Sequence, residues 1–227
     1  MTDCRMKSIS SRLNAVVASL PPQVALVAVS KFHPAEAIRE AYDAGQRIFG
    51  ESRAQELAAK TPLLPADIRW HFIGHLQTNK VAVVVPLVDL IHSVDSLRLL
   101  RAIDREAARH GKRQDILLQL HVAEEETKFG FAVDEIADAV SEASSLENVS
   151  LRGLMAMATN TDDTARIRAD FLTAKAAFDS VKGGLSADSR SQFDILSMGM
   201  SHDRDIAAEC GSTMVRVGTD IFGIRKA

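Results

Sequence analysis

The stretch Val24-Ala25-Leu26-Val27-Ala28-Val29-Ser30-Lys31-Phe32-His33-Pro34 holds the unit from which the rest of the chain is built. A short continuous apolar run is what a strand buried on both faces requires, and Pro34 stands where a helix can begin. Between them lies Lys31. A cation placed where a buried strand gives way to a helix is costly unless something uses it, which makes Lys31 a candidate Schiff-base nucleophile. The bland alternative is a lysine whose stem crosses the rim while its head reaches solvent, and its placement fits that equally well.

The unit recurs along the chain. Apolar runs at residues 24–30, 47–50, 69–73, 87–92, 115–121, 150–155, 193–197 and 214–217 make eight candidate strands. Helical spacing follows at 34–44, 52–59, 96–110 with Gly111 past its end, 133–144, 163–181 with Gly183 past its end, and 202–208. An amphipathic helix at about residues 8–20 precedes the first strand. Eight βα units in this length predict an α/β fold, a (β/α)₈ TIM barrel; a smaller open sheet is the alternative if two of the weaker strands are misread. No Gly/Ser/Pro-rich linker divides the chain, so residues 1–227 are expected to form a single domain, with 183–191 as a surface loop.

Composition narrows the function classes. With 227 residues, 46% hydrophobic and 25% charged, the chain can bury a full core. A net charge of -3, with both signs interspersed, gives no basic footprint for nucleic acid or anionic lipid. No apolar signal core or membrane-length segment stands out, which predicts a cytoplasmic protein. The two cysteines, Cys4 and Cys210, read as free thiols. His71 and His75 lack a third ligand at metal spacing, so no metal site is expected.

In a barrel the working face lies at the carboxyl ends of the strands. Those ends carry Lys31, Gly50-Glu51-Ser52-Arg53, His75 within 74–80, Ser93 with Asp95, Thr127-Lys128-Phe129-Gly130-Phe131, Met155 with Met157, Ser197-Met198-Gly199-Met200-Ser201, and Arg216-Val217-Gly218-Thr219. One buried lysine with two late small-residue turns joins an aldehyde-reactive amine to a phosphate cradle, which together suggest pyridoxal 5'-phosphate, PLP. Taken alone, the two late turns read as ordinary turns, with Ser201 as a helix cap. Alternation within Met214-Val215-Arg216-Val217 can aim Arg216 into the mouth, where it wants a partner; an inward ion pair is its plain alternative. Asp203, Asp205 and Glu209 read as a solvated helix face, and Glu124-Glu125-Glu126 as an exposed loop.

These segments are similar to those of the pyridoxal phosphate homeostasis protein family, related to the alanine racemase N-terminal domain. The likeness is carried by Ala28-Val29-Ser30-Lys31, Ile48-Phe49-Gly50-Glu51, Trp70 through Lys80, Ile91-His92-Ser93-Val94-Asp95-Ser96, Arg152-Gly153-Leu154-Met155, Leu196 through Ser201 and Gly211 through Thr219, in order from residue 28 almost to the end. It implies a barrel similar to the alanine racemase N-terminal domain, with PLP as an internal aldimine on Lys31. It further implies that Ser197, Gly218 and Thr219 take the phosphate, that Arg216 approaches the pyridine nitrogen, and that Met198, Met155 and His75 line the pocket. The chain departs from the family pattern at Ser52 and Arg53, where Asn-Tyr is usual, at His202, and at Asp220.

Two functions compete: a PLP carrier without catalysis of its own, and a PLP-dependent amino-acid racemase. Racemisation needs an acid/base group on each face of the reacting carbon, and Lys31 supplies one. In alanine racemase a tyrosine from a second domain supplies the other; that domain is not expected here, and the one tyrosine, Tyr42, falls inside a predicted helix. An arginine near the ring nitrogen also disfavours its protonation and weakens the electron sink. The carrier is therefore the reading, with no catalytic residue, apo PLP enzymes as recipients, and a monomer as the expected state. A sugar-phosphate enzyme using Lys31 on its substrate is a third possibility.

Overall fold

A computed structural model describes residues 8–123 and 129–223. Cys4, Glu124, Glu125, Glu126, Thr127 and Lys128 lie outside them. Helix α1 (Ile9–Ser19) leads into β1 (Ala25–Val29), α2 (Ala35–Asp43), β2 (Ile48–Glu51), α3 (Ala54–Lys60), β3 (Arg69–Phe72), α4 (Val81–Val84) and β4 (Leu90–Val94). There follow α5 (Leu97–Arg109), β5 (Gln114–Leu120), α6 (Ile136–Ser145), β6 (Val149–Ala156), α7 (Thr164–Gly184), α8 (Ala187–Gln192), β7 (Ile195–Ser197), α9 (Arg204–Glu209), β8 (Met214–Val217) and α10 (Thr219–Phe222).

All eight strands pair in parallel with their sequence neighbours, and β1 closes on β8 with Ala25 opposite Met214 and Val27 opposite Arg216. The fold is a closed (β/α)₈ TIM barrel. Strand alternation then divides the core in two. Inside the barrel a small cluster forms from Val27, Leu90, Leu117, Met155 and Met214, while a larger one fills the space between strands and helices.

Local chemistry sets the ends of the helices. In α5, Ser96 caps the start by accepting from the Leu99 N–H, Leu99, Leu100, Ile103 and Ala107 bury one face, and Gly111 follows with φ 58°. Asp163 caps α7 by accepting from the N–H groups of Ala165 and Arg166. At Gly153, with φ 152°, a Cβ would fall 1.8 Å from the Ile195 carbonyl oxygen, so only glycine permits the close β6–β7 approach beside the bulge against β5.

The surface loop expected at 183–191 is instead the end of α7 followed by α8, whose start is capped by the Ser186 hydroxyl. Its Ala-Asp-Ser-Arg-Ser-Gln sequence buries no residue, which left no apolar period to read. No described helix is long and apolar enough to cross a membrane. Among the described residues, no three His, Cys, Asp or Glu side chains gather as metal ligands.

Candidate cofactor site

A cavity of about 240 Å³ opens at the carboxyl ends of the strands. Binding pockets for drug-sized molecules run from about 300 to 1,000 Å³, so this one suits a smaller ligand. Lys31 and His33 enter it from beyond β1, Ser52 from beyond β2, Ile73 from beyond β3, and Met157 from beyond β6. Met200, Ser201 and His202 follow β7, and Arg216, Gly218 and Thr219 come from the end of β8. A lysine amine, a guanidinium, two imidazoles and three hydroxyls thus face one space, and no lining residue among those described carries a carboxylate. Such a site favours an anion.

The backbone that carries Lys31 is pinned on both sides. Phe32 adopts φ 67°, a left-handed conformation unfavourable for a residue with a side chain. Its N–H donates to Glu56 Oε2 at 2.8 Å, and the Arg53 guanidinium lies 4.5 Å over its ring. On the other side, the Ser30 hydroxyl donates to Glu51 Oε1 at 2.7 Å. Lys60 Nζ ties the two halves together, donating to Glu51 Oε1 (2.7 Å), Glu56 Oε2 (3.0 Å) and the Ser30 carbonyl (3.1 Å).

Glu51 is wholly buried, and burial pushes its carboxyl up against the opposing pull of Lys60 and Ser30. For Glu56 burial also pushes upward, but the Phe32 N–H and the Lys60 ammonium outweigh it and the carboxyl lies below its ordinary range. Glu51 was read from the sequence only as a member of the strand-end turn 50–53, and Glu56 and Lys60 were not read as parts of the site. The signal available was a glutamate at the end of a buried strand and a Glu-to-Lys spacing of four on α3.

Arg216 is 5% exposed and forms the cavity's floor. Its Nη1 donates to the Ser197 carbonyl (2.9 Å) and hydroxyl (2.6 Å), and its Nη2 to the Ala156 carbonyl (3.1 Å). Burial lowers its pKa to about 10, with the nearby Asp203 charge acting in the opposite sense. The inward ion pair is therefore replaced by bonds to neutral acceptors. Asp203 is itself 2% exposed and accepts from the Met200 N–H at 2.5 Å, so it belongs to the β7–α9 turn rather than to a solvated face. It also precedes α9 directly, which leaves Ser201 inside the turn and not at the cap.

The other sequence candidates are distributed around this cavity. Ser197 faces inward at the end of β7, wholly buried beneath Arg216. Met198, the next residue, faces the opposite way and is buried in the outer core. Met155 lies in the inner cluster below the floor, and Met157, two residues on, takes the lining position. His75 is exposed on the β3–α4 connection, donating to Asp95 at 2.8 Å and stacked 4.0 Å from the Phe129 ring. The cavity thus brings together Lys31, Arg216, Gly218 and Thr219. Asp220 turns away to pair with Arg204, which removes its charge from the rim.

The donor set fits PLP. An amine stands at one wall, a buried cation at the floor, and hydroxyl and glycine positions line the β7 and β8 ends, with the one neighbouring carboxylate of α10 engaged elsewhere.

The model of a family described as the alanine racemase N-terminal domain matches residues 5–226. The pyridoxal phosphate homeostasis protein of Pasteurella multocida is 38% identical over 205 residues, covering 89% of this chain and 87% of that protein. PipY of Synechococcus elongatus, solved with PLP bound, is 40% identical with a TM-score of 0.85, covering 95% of this chain and all of that one. An alanine racemase of Clostridium difficile shares the fold at 14% identity and a TM-score of 0.79, matching 98% of this chain and 58% of the racemase.

Proposed function

The chain belongs to the alanine racemase N-terminal domain family and, within it, to the pyridoxal phosphate homeostasis proteins, and from that premise we propose that it binds PLP through Lys31 and holds it for release without turning over a substrate. When bound, PLP supplies an aldehyde that condenses with a primary amine and a phosphate that seeks hydrogen-bond donors. Lys31 is the amine at the wall. Ser201, Gly218 and Thr219 bind the phosphate end, Arg216 faces the ring, and Ser197 acts from beneath Arg216. Met155 supports the floor from below, Met198 backs the β7 turn, and His75 flanks the mouth with Phe129.

The single observation that carries this reading is a carboxylate-free cavity at the strand ends with one lysine and one buried arginine on its surface. Holding rather than turnover is supported by the place of the one tyrosine. Tyr42 donates to Asp67 at 2.7 Å and lies 3.9 Å under the Arg47 guanidinium. Asp67 lies two residues before β3 and Arg47 directly before β2, so the one tyrosine sits at the amino-terminal rim, opposite the cavity.

The role implies a cytoplasmic, monomeric protein that passes PLP to apo-enzymes. The test is a visible absorbance that appears with PLP and is absent in Lys31→Ala, followed by activation of an apo-transaminase by the loaded protein. Lys31-dependent racemisation of several amino acids would replace the holding role with catalysis.

A further inference from the structure

We infer that Ser197, His92 and His71 form a one-directional hydrogen-bond chain that holds the Arg216 guanidinium in place at the cavity floor, with both histidines acting as positioning residues. The chain crosses the barrel from β8 through β7 and β4 to β3. Arg216 Nη1 donates to Ser197 Oγ at 2.6 Å; Ser197 Oγ lies 3.0 Å from His92 Nδ1, and His92 Nε2 lies 2.9 Å from His71 Nδ1. None of the four is more than 5% exposed.

Its direction follows from its first member. A guanidinium only donates, so Ser197 Oγ accepts there; among the described residues the one acceptor within reach of its own proton is His92 Nδ1, and pairing that proton sets the direction. His92 then carries its proton on Nε2 and donates to His71 Nδ1, and His71 carries its proton on Nε2. That last nitrogen is buried and meets no partner among the described residues. Leaving a buried N–H unpaired is unfavourable, and the adjacent interior layer of Val27, Leu90, Leu117, Met155 and Met214 shows that apolar side chains fill this barrel. A polar chain in that setting, ending at the one member that lines the cavity, points to a role at Arg216.

The physical effect is on the serine rotor. The carbonyls of Ser197 and Ala156 accept from Arg216 whatever their surroundings, but a hydroxyl can rotate its proton toward or away from a donor. His92 takes that proton and so turns a lone pair toward Arg216. Burial supports the arrangement by holding His71 down to about 3 and His92 well below its ordinary range, the latter aided by its neighbours His71 and Arg216. Arg216 remains the floor's cation.

The role at bound PLP rests on the proposed function; the tautomers do not, and they are measured in the protein without PLP. Long-range ¹H–¹⁵N correlation on the histidine-labelled chain at pH 7 is expected to show both rings neutral and protonated on Nε2. A charged ring, or His92 protonated on Nδ1, overturns the chain. The second test is a mutant cycle on PLP release, read as transfer to excess apo-transaminase. Arg216→Met and His92→Leu are each expected to speed release about tenfold, the scale of one lost charge-assisted hydrogen bond, and the double variant no more than either alone. Unchanged release in His92→Leu, or effects that multiply, overturns the positioning role. If His92→Leu does not fold, Ser197→Ala takes its place in the cycle with the same expectations. A wild-type protein that takes up no PLP on Lys31 defeats the proposed function, while the tautomers still decide the chain.

Discussion

Two buried cations flank the cavity, and they are treated in opposite ways. Beneath Lys31, Lys60 meets two carboxylates, Glu51 and Glu56, and the charges close on themselves. At the floor, on the neighbouring strand β8, Arg216 meets two carbonyls and a hydroxyl, and Asp203 acts on it only through space. The difference separates two tasks. Around Lys60 the ion pairs fix the backbone of Ser30 and Phe32, so a neutralised cluster serves. At Arg216 the positive charge is left for whatever anion enters, so neutral acceptors serve better.

The largest effect should come from breaking the first cluster. Glu51→Ala leaves Lys60 buried beside a lost partner and is expected to cost about 3–5 kcal/mol, a fall in thermal midpoint on the order of 10 °C by circular dichroism. Glu51→Leu with Lys60→Met removes the pair together and should recover much of that loss. A single Glu51→Ala variant as stable as wild type would mean that the cluster is not what pins the Lys31 turn.

Acid should separate the walls next. His71 and His92 have folded pKa values below their ordinary 6.5, so below that pH the unfolded chain binds more protons and stability falls as pH drops. Each contributes a slope of about 1.4 kcal/mol per pH unit between there and its folded value. Glu56, lowered, loses its contribution only as pH falls through its own depressed range; Glu51, raised, has the opposite sign and weakens the fold as pH rises through the interval above 4.5. Denaturant unfolding between pH 7 and pH 5 should therefore show the histidine slope with the opposing Glu51 slope superposed, and the difference between wild type and His71→Leu should report the share of His71.

At pH 7 the same His71→Leu substitution should shift stability by less than about 1.5 kcal/mol, because it moves the unpaired N–H from His71 to His92 without adding one. Smaller still is Asp220→Asn, which loosens a partly exposed pair with Arg204 and should cost less than about 1 kcal/mol in the same unfolding assay.

Much of the barrel was legible because parallel strands buried on both faces must be apolar runs, and each run ends where a turn begins. Lys31 stood out for the same reason: a charge at such an end is conspicuous. Arg216 was legible from alternation in β8, and alternation equally sends Ser197 inward and Met198 outward. What the sequence hides is pairing across the barrel. A histidine in an apolar strand reads as an ordinary core residue, and only closure of the sheet brings His71 within reach of His92 and His92 within reach of Ser197, 105 residues away. Lys60 falls one residue past the helix expected at 52–59, and only the folded chain brings it to Glu51 and the Ser30 carbonyl. Asp203 looked solvated because its bond runs back to the turn at Met200, a local contact that polarity alone does not reveal.

The most direct measurement is a peptide mass map after the protein is loaded with PLP and reduced with borohydride. The account predicts a single stable adduct on the peptide containing Lys31, with Lys60 unmodified because its ammonium is held by two carboxylates and a carbonyl. An adduct on Lys60 or another lysine, or no adduct at saturating PLP, would contradict it.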